Sequence, residues 1–395
     1  MTPTKFAIRR VRLTHYRSIK SCDVGLGDLM VLVGPNGSGK SNFLDALRFT
    51  AQSLRDNLDN ALRERGGVTE VRRRSTGHPT HFTIHLDFEW GSGAGHYSFS
   101  VGARRNGGYE VTRESCHVST AAFGSDKSYF ELKRRGADVE IASSEYRIPA
   151  VTADRLLLVA LSGSEPFSTV FHGLAGVNVF NINPDAIRTP QKPGPGDLLL
   201  RDGANLASVL DQLSREEPRR KAVIEQYLST VVDGIVSADR RTIDAWETVE
   251  FRQRVRGSAA PWDFTASSMS DGTLRVLGIL TAVLGASSRL TSPVGVEEPE
   301  TALHPRAAGL LLDAMREAAD TRQVLVTTHS PELIDGLDNP DHLLAVRSLH
   351  GDTTIGRVDA AGTKALVERL FTAGELLRSD QLQPEGADEA LRLFV

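Results

Sequence analysis

The sequence predicts an α/β fold: one sheet built from both ends of the chain, with an antiparallel β subdomain and an inserted helical lobe between them. Three observations predict it. Leu29-Met30-Val31-Leu32-Val33 is a continuous apolar run, the pattern of a strand buried on both faces, and a glycine-rich turn and an amphipathic stretch follow it. Strand and helix patterns alternate again after residue 268. The material between these ends has a different periodicity.

Taken in chain order, residues 6–33 read as strands. Leu44, Leu47, Ala51, Leu54, Leu58 and Leu62 recur at helical spacing, and Gly66-Gly67 ends that run. Phe82, Ile84, Leu86, Phe88 and Trp90 then alternate with polar residues, which predicts a strand with one wet face. Glycine pairs and short alternating runs continue to about residue 150, the pattern of an antiparallel meander. Pro184, Pro190, Pro193 and Pro195 mark an irregular connection. From 203 to 232 the pattern is helical and charged, with Leu206, Val209, Leu210 and Leu213 on one stripe. Thr273–Leu284 is helical by pattern. Residues 293–296 read as a short strand broken by Pro293 and Gly295, Leu303–Ala319 as a helix and Val324–Thr328 as a buried strand. The expected division is an N-terminal lobe at 1–160, a helical insertion or lid at 161–262 and a C-terminal lobe at 263–395.

The chain has 395 residues, enough for a large core with an added lobe. A net charge of −4 gives no global basic field of the kind that announces a nucleic-acid binder. Local basic clusters lie at Arg9, Arg10, Arg12, Arg17 and Lys20, at Arg72–Arg74, at Lys133–Arg135 and at Arg219–Lys221, and read first as solvated faces. Cys22 and Cys116 are the only cysteines, too few for a disulfide framework, so a reduced, cytoplasmic setting is expected. The longest apolar run, Leu156–Leu161, is far too short to span a bilayer, which excludes a membrane-spanning role.

Four elements carry chemistry. Gly34-Pro35-Asn36-Gly37-Ser38-Gly39-Lys40-Ser41 matches G-x-x-x-x-G-K-[ST] in full, between a buried strand and a helix. Gly34, Gly37 and Gly39 let the backbone wrap closely, so that the N–H groups around Asn36, Ser38 and Asn42 can face phosphate oxygens. Lys40 supplies a compact charge for β- and γ-phosphates, and the Ser41 hydroxyl is the expected Mg²⁺ ligand. Next, Glu297 and Glu298 end an apolar strand. Adjacent carboxylates there are costly unless they meet a cation or a substrate proton. Glu297 suits the metal's outer shell, and Glu298 suits polarisation of an attacking water. Third, Ser270 and Gly272 open a helix, where a hydroxyl and unpaired N–H groups favour an anion. Last, His329 follows a strand of the sheet, at the edge where α/β sheets bind ligands, and could hydrogen-bond a γ-phosphate.

In their order along the chain these elements resemble the RecF/SMC-like ABC ATPases, including the single-chain RecF-like AAA-type ATPases of bacteria, without an attached nuclease domain. Leu13-Thr14-His15-Tyr16-Arg17-Ser18-Ile19-Lys20 and the phosphate loop carry the resemblance, with Ser270-Asp271-Gly272-Thr273, Glu297-Glu298-Pro299-Glu300, Leu303-His304-Pro305 and Thr328-His329-Ser330-Pro331. It covers residues 6–65 and 265–335 well and the middle loosely. It implies an ABC-type P-loop NTPase head that binds and hydrolyses ATP with Mg²⁺. It further implies a homodimer on ATP binding, with ATP between Lys40 of one copy and Ser270 and Gly272 of the other. Expected roles are Glu298, Lys40 and His329 in catalysis and Ser41 with Glu297 at the metal. DNA and a separately encoded effector protein are the partners implied, in DNA repair or phage defence, with no membrane.

The departures are specific. The LSGGQ signature of transporter ATPases is missing, and no heptad-rich coiled coil separates the halves. Gln52 and Gln191 are poor candidates for a glutamine loop. The stretch after His329 is too short for the nuclease domain of OLD-family relatives. The leading expectation is an ATP-driven dimerisation switch. The alternative is an ATP-gated DNA-binding clamp, with a nuclease and a transporter ATPase ranked lower.

Overall fold

Alternation along the apolar strands sets the architecture. Met30 and Leu32 enter one hydrophobic core, whereas Leu29, Val31 and Val33 enter another. Leu325 splits from Val324 and Val326 in the same way, and Leu344 and Val346 split from Leu343 and Ala345. A strand apolar at every position is satisfied only between two layers. These strands therefore form a central sheet.

The computed structural model describes residues 4–74, 80–104, 107–120, 128–136, 138–144, 148–285, 290–301, 303–337 and 339–386. Residues 387–395, the end of the expected C-terminal lobe, lie outside the described residues. Among the described residues the central sheet runs in the order Asp352–Arg357, Leu343–Leu349, Leu29–Val33, Val324–Thr328, Val294–Glu297, Asn178–Phe180. All pairs are parallel except the outermost hairpin of Leu343–Leu349 with Asp352–Arg357. Two strands from the C-terminal half thus flank the N-terminal strand Leu29–Val33, as expected for a sheet shared by both ends of the chain.

The second sheet carries the expected meander. Thr4–Tyr16, His81–Trp90, Gly93–Ala103, Tyr109–Thr120, Ser128–Arg135 and Asp138–Ser143 pair antiparallel in sequence, and Ile19–Gly25 pairs with Thr4–Tyr16. The helix Lys40–Arg55 packs its apolar stripe on this sheet, where Phe49 meets Phe82 at a ring-centroid distance of 5.6 Å. The same helix also meets strands of the central sheet, so both sheets bury it. Gln323 pins the two sheets together. Its Oε1 accepts from the Ile8 N–H at 2.9 Å, and its Nε2 donates to the carbonyls of Ile8 and Gly27, both at 2.7 Å.

Three local features differ from the periodicity reading. The run Leu44–Leu62 is not one helix. The first helix ends at Arg55, and Leu58–Arg63 begins a second one capped by Asn57, whose side chain accepts from Asn60 N at 2.7 Å. An unbroken apolar stripe hides such a break, because an Asn cap changes direction without changing the spacing of leucines. The strand near 293–296 is continuous from Val294 to Glu297. Gly295 is there for packing, since a Cβ would lie 3.0 Å from Val179. Finally, the helices Leu206–Glu216 and Pro218–Val231 appear where expected, but strands accompany them in the same stretch. Asn178–Phe180 extends the central sheet, and Ile235–Ile243, Trp246–Gln253 and Trp262–Thr265 form a small antiparallel sheet. The last of these runs through the turn Ala266–Ser268 into the helix Asp271–Leu284.

Candidate nucleotide site

Parallel strands release their following loops at one edge of a sheet. Thr328 pairs with Val33, Glu297 with Thr327, and Phe180 with Val296. Gly34, His329, Glu298 and Asn181 therefore leave the sheet side by side, with His329 between the phosphate loop and the acidic pair. Open α/β sheets bind ligands at this carboxyl edge.

The phosphate loop is shaped by two left-handed glycines, Gly37 at φ 76° and Gly39 at φ 106°. Gly34 and Gly39 are also demanded by neighbours. A Cβ on Gly34 would strike the Val346 carbonyl at 2.1 Å, and one on Gly39 would strike Thr353 Oγ1 at 2.2 Å. Thr353 belongs to the outer hairpin; its hydroxyl donates to Ser38 O at 2.9 Å and pairs with Ser18 Oγ at 2.7 Å. Asn42 Nδ2 donates to the same Ser18 hydroxyl at 2.7 Å. The amide of Asn42 is thus engaged with the N-terminal sheet, while Asn36 and Ser41 are exposed.

The loop fits a polyphosphate. Among the described residues, the N–H groups of Gly37, Gly39, Lys40 and Ser41 donate to no protein acceptor, and they open the helix Lys40–Arg55. Ser38 Oγ and Thr327 Oγ1 are buried without partners. Lys40 is 4% exposed, and among the described residues its Nζ donates only to the carbonyls of Gly34 at 2.7 Å and Pro35 at 2.9 Å. Burial pushes this ammonium down, and the charges of Glu298 and Glu300 push it back up. A buried cation held by two carbonyls gains strongly from an anion placed beside it. The hydroxyl of Ser41 and the carboxylate of Glu297 are hard oxygen groups, the ligand chemistry that Mg²⁺ prefers.

The acidic strand end has unusual geometry. Glu297 is 7% exposed and receives a hydrogen bond from Arg201. Glu298 adopts φ 44°, a left-handed conformation rare for a side chain of its size. Its N–H donates to Thr327 O at 2.9 Å and its carbonyl accepts from Arg275 at 3.0 Å, so both peptide groups of the strained residue are fixed. The imidazole Nδ1 of His329 lies 3.6 Å from Oε1 of both Glu298 and Glu300. Glu300 sets up this group from below: its Oε1 accepts from Thr328 Oγ1 at 2.6 Å and from the His329 N–H at 3.2 Å.

Ser270 caps the helix Asp271–Leu284, accepting from Thr273 N at 3.2 Å, and is exposed, with Gly272 half-buried beside it. The cap is braced by Arg188, which bonds Asp271, Asp185 and the Met269 carbonyl. Gln52 and Gln191 stay away from the site. Gln52 accepts from Arg65 at 2.8 Å, and Gln191 pairs with Glu247.

Several contributing residues escaped the sequence reading. Glu300 lies within the acidic motif Glu297-Glu298-Pro299-Glu300, whose spacing assigns it no role, and Arg201, Arg275, Arg188 and Thr353 carry no sequence signal at all. Each acts through a contact with a distant segment, which spacing does not encode. A search for further carboxylates beside the acidic pair would have found Glu300.

Fold and site together define a P-loop nucleotide-binding head of the ABC type. A family profile described as "AAA domain, putative AbiEii toxin, Type IV TA system" matches residues 29–335, and the chain belongs to that family. Among solved structures it is similar to an SMC head bound to the C-winged helix domain of ScpA. That match has 13% identity and a TM-score of 0.54 and covers 90% of this chain and 99% of the other. It is also similar to an SMC head domain with an extended coiled coil bound to the C-terminal domain of ScpA, derived from Pyrococcus furiosus. There identity is 12% and the TM-score 0.50, over 92% of this chain and 99% of the other. At these identities the likeness shows the fold. No curated protein matches the chain. Among the described residues no helix is long and apolar enough to cross a membrane.

Proposed function

We propose that the chain is an ATPase whose nucleotide closes two copies head to tail. The observation that carries the reading is the confrontation at one sheet edge of a buried, carbonyl-bound Lys40 with Glu298 and His329, while Ser270 stands exposed for a second copy. Lys40 and the amides of Gly37, Gly39 and Ser41 would hold the β- and γ-phosphates. Glu298 would take the proton of the attacking water, and His329 would contact the γ-phosphate. Bound Mg²⁺, held by Ser41 directly and Glu297 through water, would neutralise phosphate charge. Ser270 and Gly272 of the second copy would complete the donor set, because a multiply charged group at an interface needs donors from both sides.

Under this reading 1–160 and 263–395 are the two ATPase lobes and 161–262 the insertion, except that its strand Asn178–Phe180 belongs to the central sheet. The cycle would regulate a separately encoded effector, in phage defence or DNA repair, and the toxin in the family description favours defence. The DNA-clamp alternative draws less support. Arg9 pairs with Asp28 and Glu89, Arg10 with Asp23, Arg12 with Asp87, and Arg73 with Asp352, so much of the basic clusters is already neutralised.

The test is the solution mass of Glu298→Gln with and without Mg·ATP, alongside its turnover. A doubled mass with ATP and lost turnover is expected. A monomer at saturating ATP removes the composite site, and unaltered turnover removes Glu298 from the mechanism.

A further inference from the structure

A buried carboxylate needs a counter-charge in every state of the protein, not only when ligand is bound. Glu297 ends an apolar strand, is 7% exposed, and has Arg201 as its one hydrogen-bond donor among the described residues. The two partners differ in freedom. Glu297 is fixed by the central sheet, while the Arg201 side chain is 45% exposed. Yet the backbone that carries Arg201 is anchored. Its carbonyl accepts from Asn181 N at 2.9 Å, and the next carbonyl, of Asp202, accepts from Asn183 N at 2.9 Å. These bonds lash 201–202 to the loop that leaves the edge strand Asn178–Phe180. Asn205 closes the same turn through Leu200 N and Leu198 O, both at 2.8 Å. A fixed backbone with an exposed, long side chain can release its charge without refolding.

We propose that Arg201 is the resting counter-ion of Glu297, a positioning residue that holds the carboxylate in the nucleotide-free protein and gives it up when metal-bound nucleotide enters. The proposal rests on the nucleotide reading above. Its logic is competition. One carboxylate oxygen already engaged by a guanidinium is less available to a hydrated cation, so each favours the other's departure. The released guanidinium faces a groove shared with Asn181, Asn183, Asp202 and Arg275, where water and Asp202 can take over its hydrogen bonds. Arg201 also projects charge onto the phosphate-loop helix. Burial first, then the charge of Arg201, pushes the Arg48 guanidinium down. Its departure would change the field at both walls of the site.

Two measurements on the full chain decide it. The first needs no nucleotide: thermal melting of wild type, Arg201→Ala, Glu297→Gln and the double variant. Arg201→Ala is expected to lower the midpoint in the wild-type background and to do little in the Glu297→Gln background. Equal shifts in both backgrounds overturn the counter-ion role. The second compares Kd for ATPγS with Mg²⁺ and with EDTA. Arg201→Ala is expected to enlarge the affinity gained from Mg²⁺ by about tenfold, with Arg201→Lys between. An unchanged or smaller gain overturns the competition, the smaller gain marking Arg201 as a phosphate ligand instead. A wild-type protein that binds no ATPγS under either condition sinks the nucleotide reading and the competition with it, and the melting cycle still reports separately on the ion pair.

Discussion

Arg275 donates to the backbone carbonyl of Glu298 at 3.0 Å, which ties the helix beginning at Ser270 to the acid facing the phosphate loop. Glu298 stands at φ 44°, and residues kept in such conformations cluster where strain serves function. Replacing Arg275 with Met keeps most of the buried stem and removes the donor. Turnover is expected to fall about 10–100-fold with nucleotide affinity nearly unchanged, because the loss falls on the orientation of Glu298. Steady-state ATPase kinetics beside equilibrium nucleotide binding separate the two.

Gly37 and Gly39 share a positive φ but have different surroundings. A Cβ at Gly37 meets nothing within 4 Å, whereas one at Gly39 meets Thr353 at 2.2 Å. Gly37→Ala is expected to cost about 1–2 kcal/mol, the price of a left-handed alanine. Gly39→Ala is expected to cost about 3 kcal/mol or more, because a steric clash adds to the same backbone strain. Urea midpoints of the two variants provide the comparison; equal costs would show that Thr353 yields freely.

Gln323 satisfies three backbone groups of the N-terminal segment from inside the core. Gln323→Ala leaves the Ile8 N–H and the carbonyls of Ile8 and Gly27 without this partner. A loss of about 2–4 kcal/mol is expected, since orphaned buried groups cost more than the bonds that served them. The readout is the free energy of chemical denaturation.

Acidification should act in two directions. Burial pushes the Glu114 carboxyl up to about 7, against the donors Leu157 N, Leu158 N and Tyr97 OH, which favour its charge. The fold therefore prefers protonated Glu114. Its contribution is full below about pH 4.5 and is lost as pH rises through about 7, a change on the order of 3 kcal/mol. His96 behaves oppositely. Burial, then the charges of His117 and His85, hold it below the usual histidine range, and it stacks on His117 at 4.6 Å. The stability it supplies is present above pH ~6.5 and lost as pH falls through its lowered value. NMR titration of the Glu114 carboxyl and the His96 ring checks each sign separately.

Arg188 holds Asp271 and the Met269 carbonyl beside the exposed Ser270. Arg188→Ala should leave nucleotide binding by a single copy intact and weaken ATP-induced dimerisation several-fold, by loosening a donor set that works only in the partner. Analytical ultracentrifugation of the Glu298→Gln background, with and without Arg188→Ala, measures this. Equal dimer fractions would place Ser270 outside the interface.

The sequence made the phosphate loop legible because its chemistry is local: the glycines, the lysine and the helix they open lie within one turn of chain. The buried strands were legible for a related reason, since Leu29–Val33 and Val324–Thr328 are apolar on both faces. Glu297, Glu298 and His329 could be picked out by their place after such strands. The strand Asn178–Phe180 was hidden, being three residues long and shaped by its neighbour Val294–Glu297 rather than by its own pattern. Arg201 and Arg275 were hidden too. An arginine's reach lets it serve a carboxylate or carbonyl from many positions, so no spacing betrays which one it serves.

The clasp of Thr353 on the phosphate loop has a consequence for biosynthesis. Its hydroxyl reaches Ser38 O across 315 residues of chain, and Val346 closes on Gly34 from the same hairpin. A nascent chain emerging from the ribosome holds the loop's sequence early yet lacks the wall against which the loop takes its shape. Nucleotide capture is thereby postponed until that hairpin has been synthesised, and a truncated product that stops before it would carry the motif without the pocket.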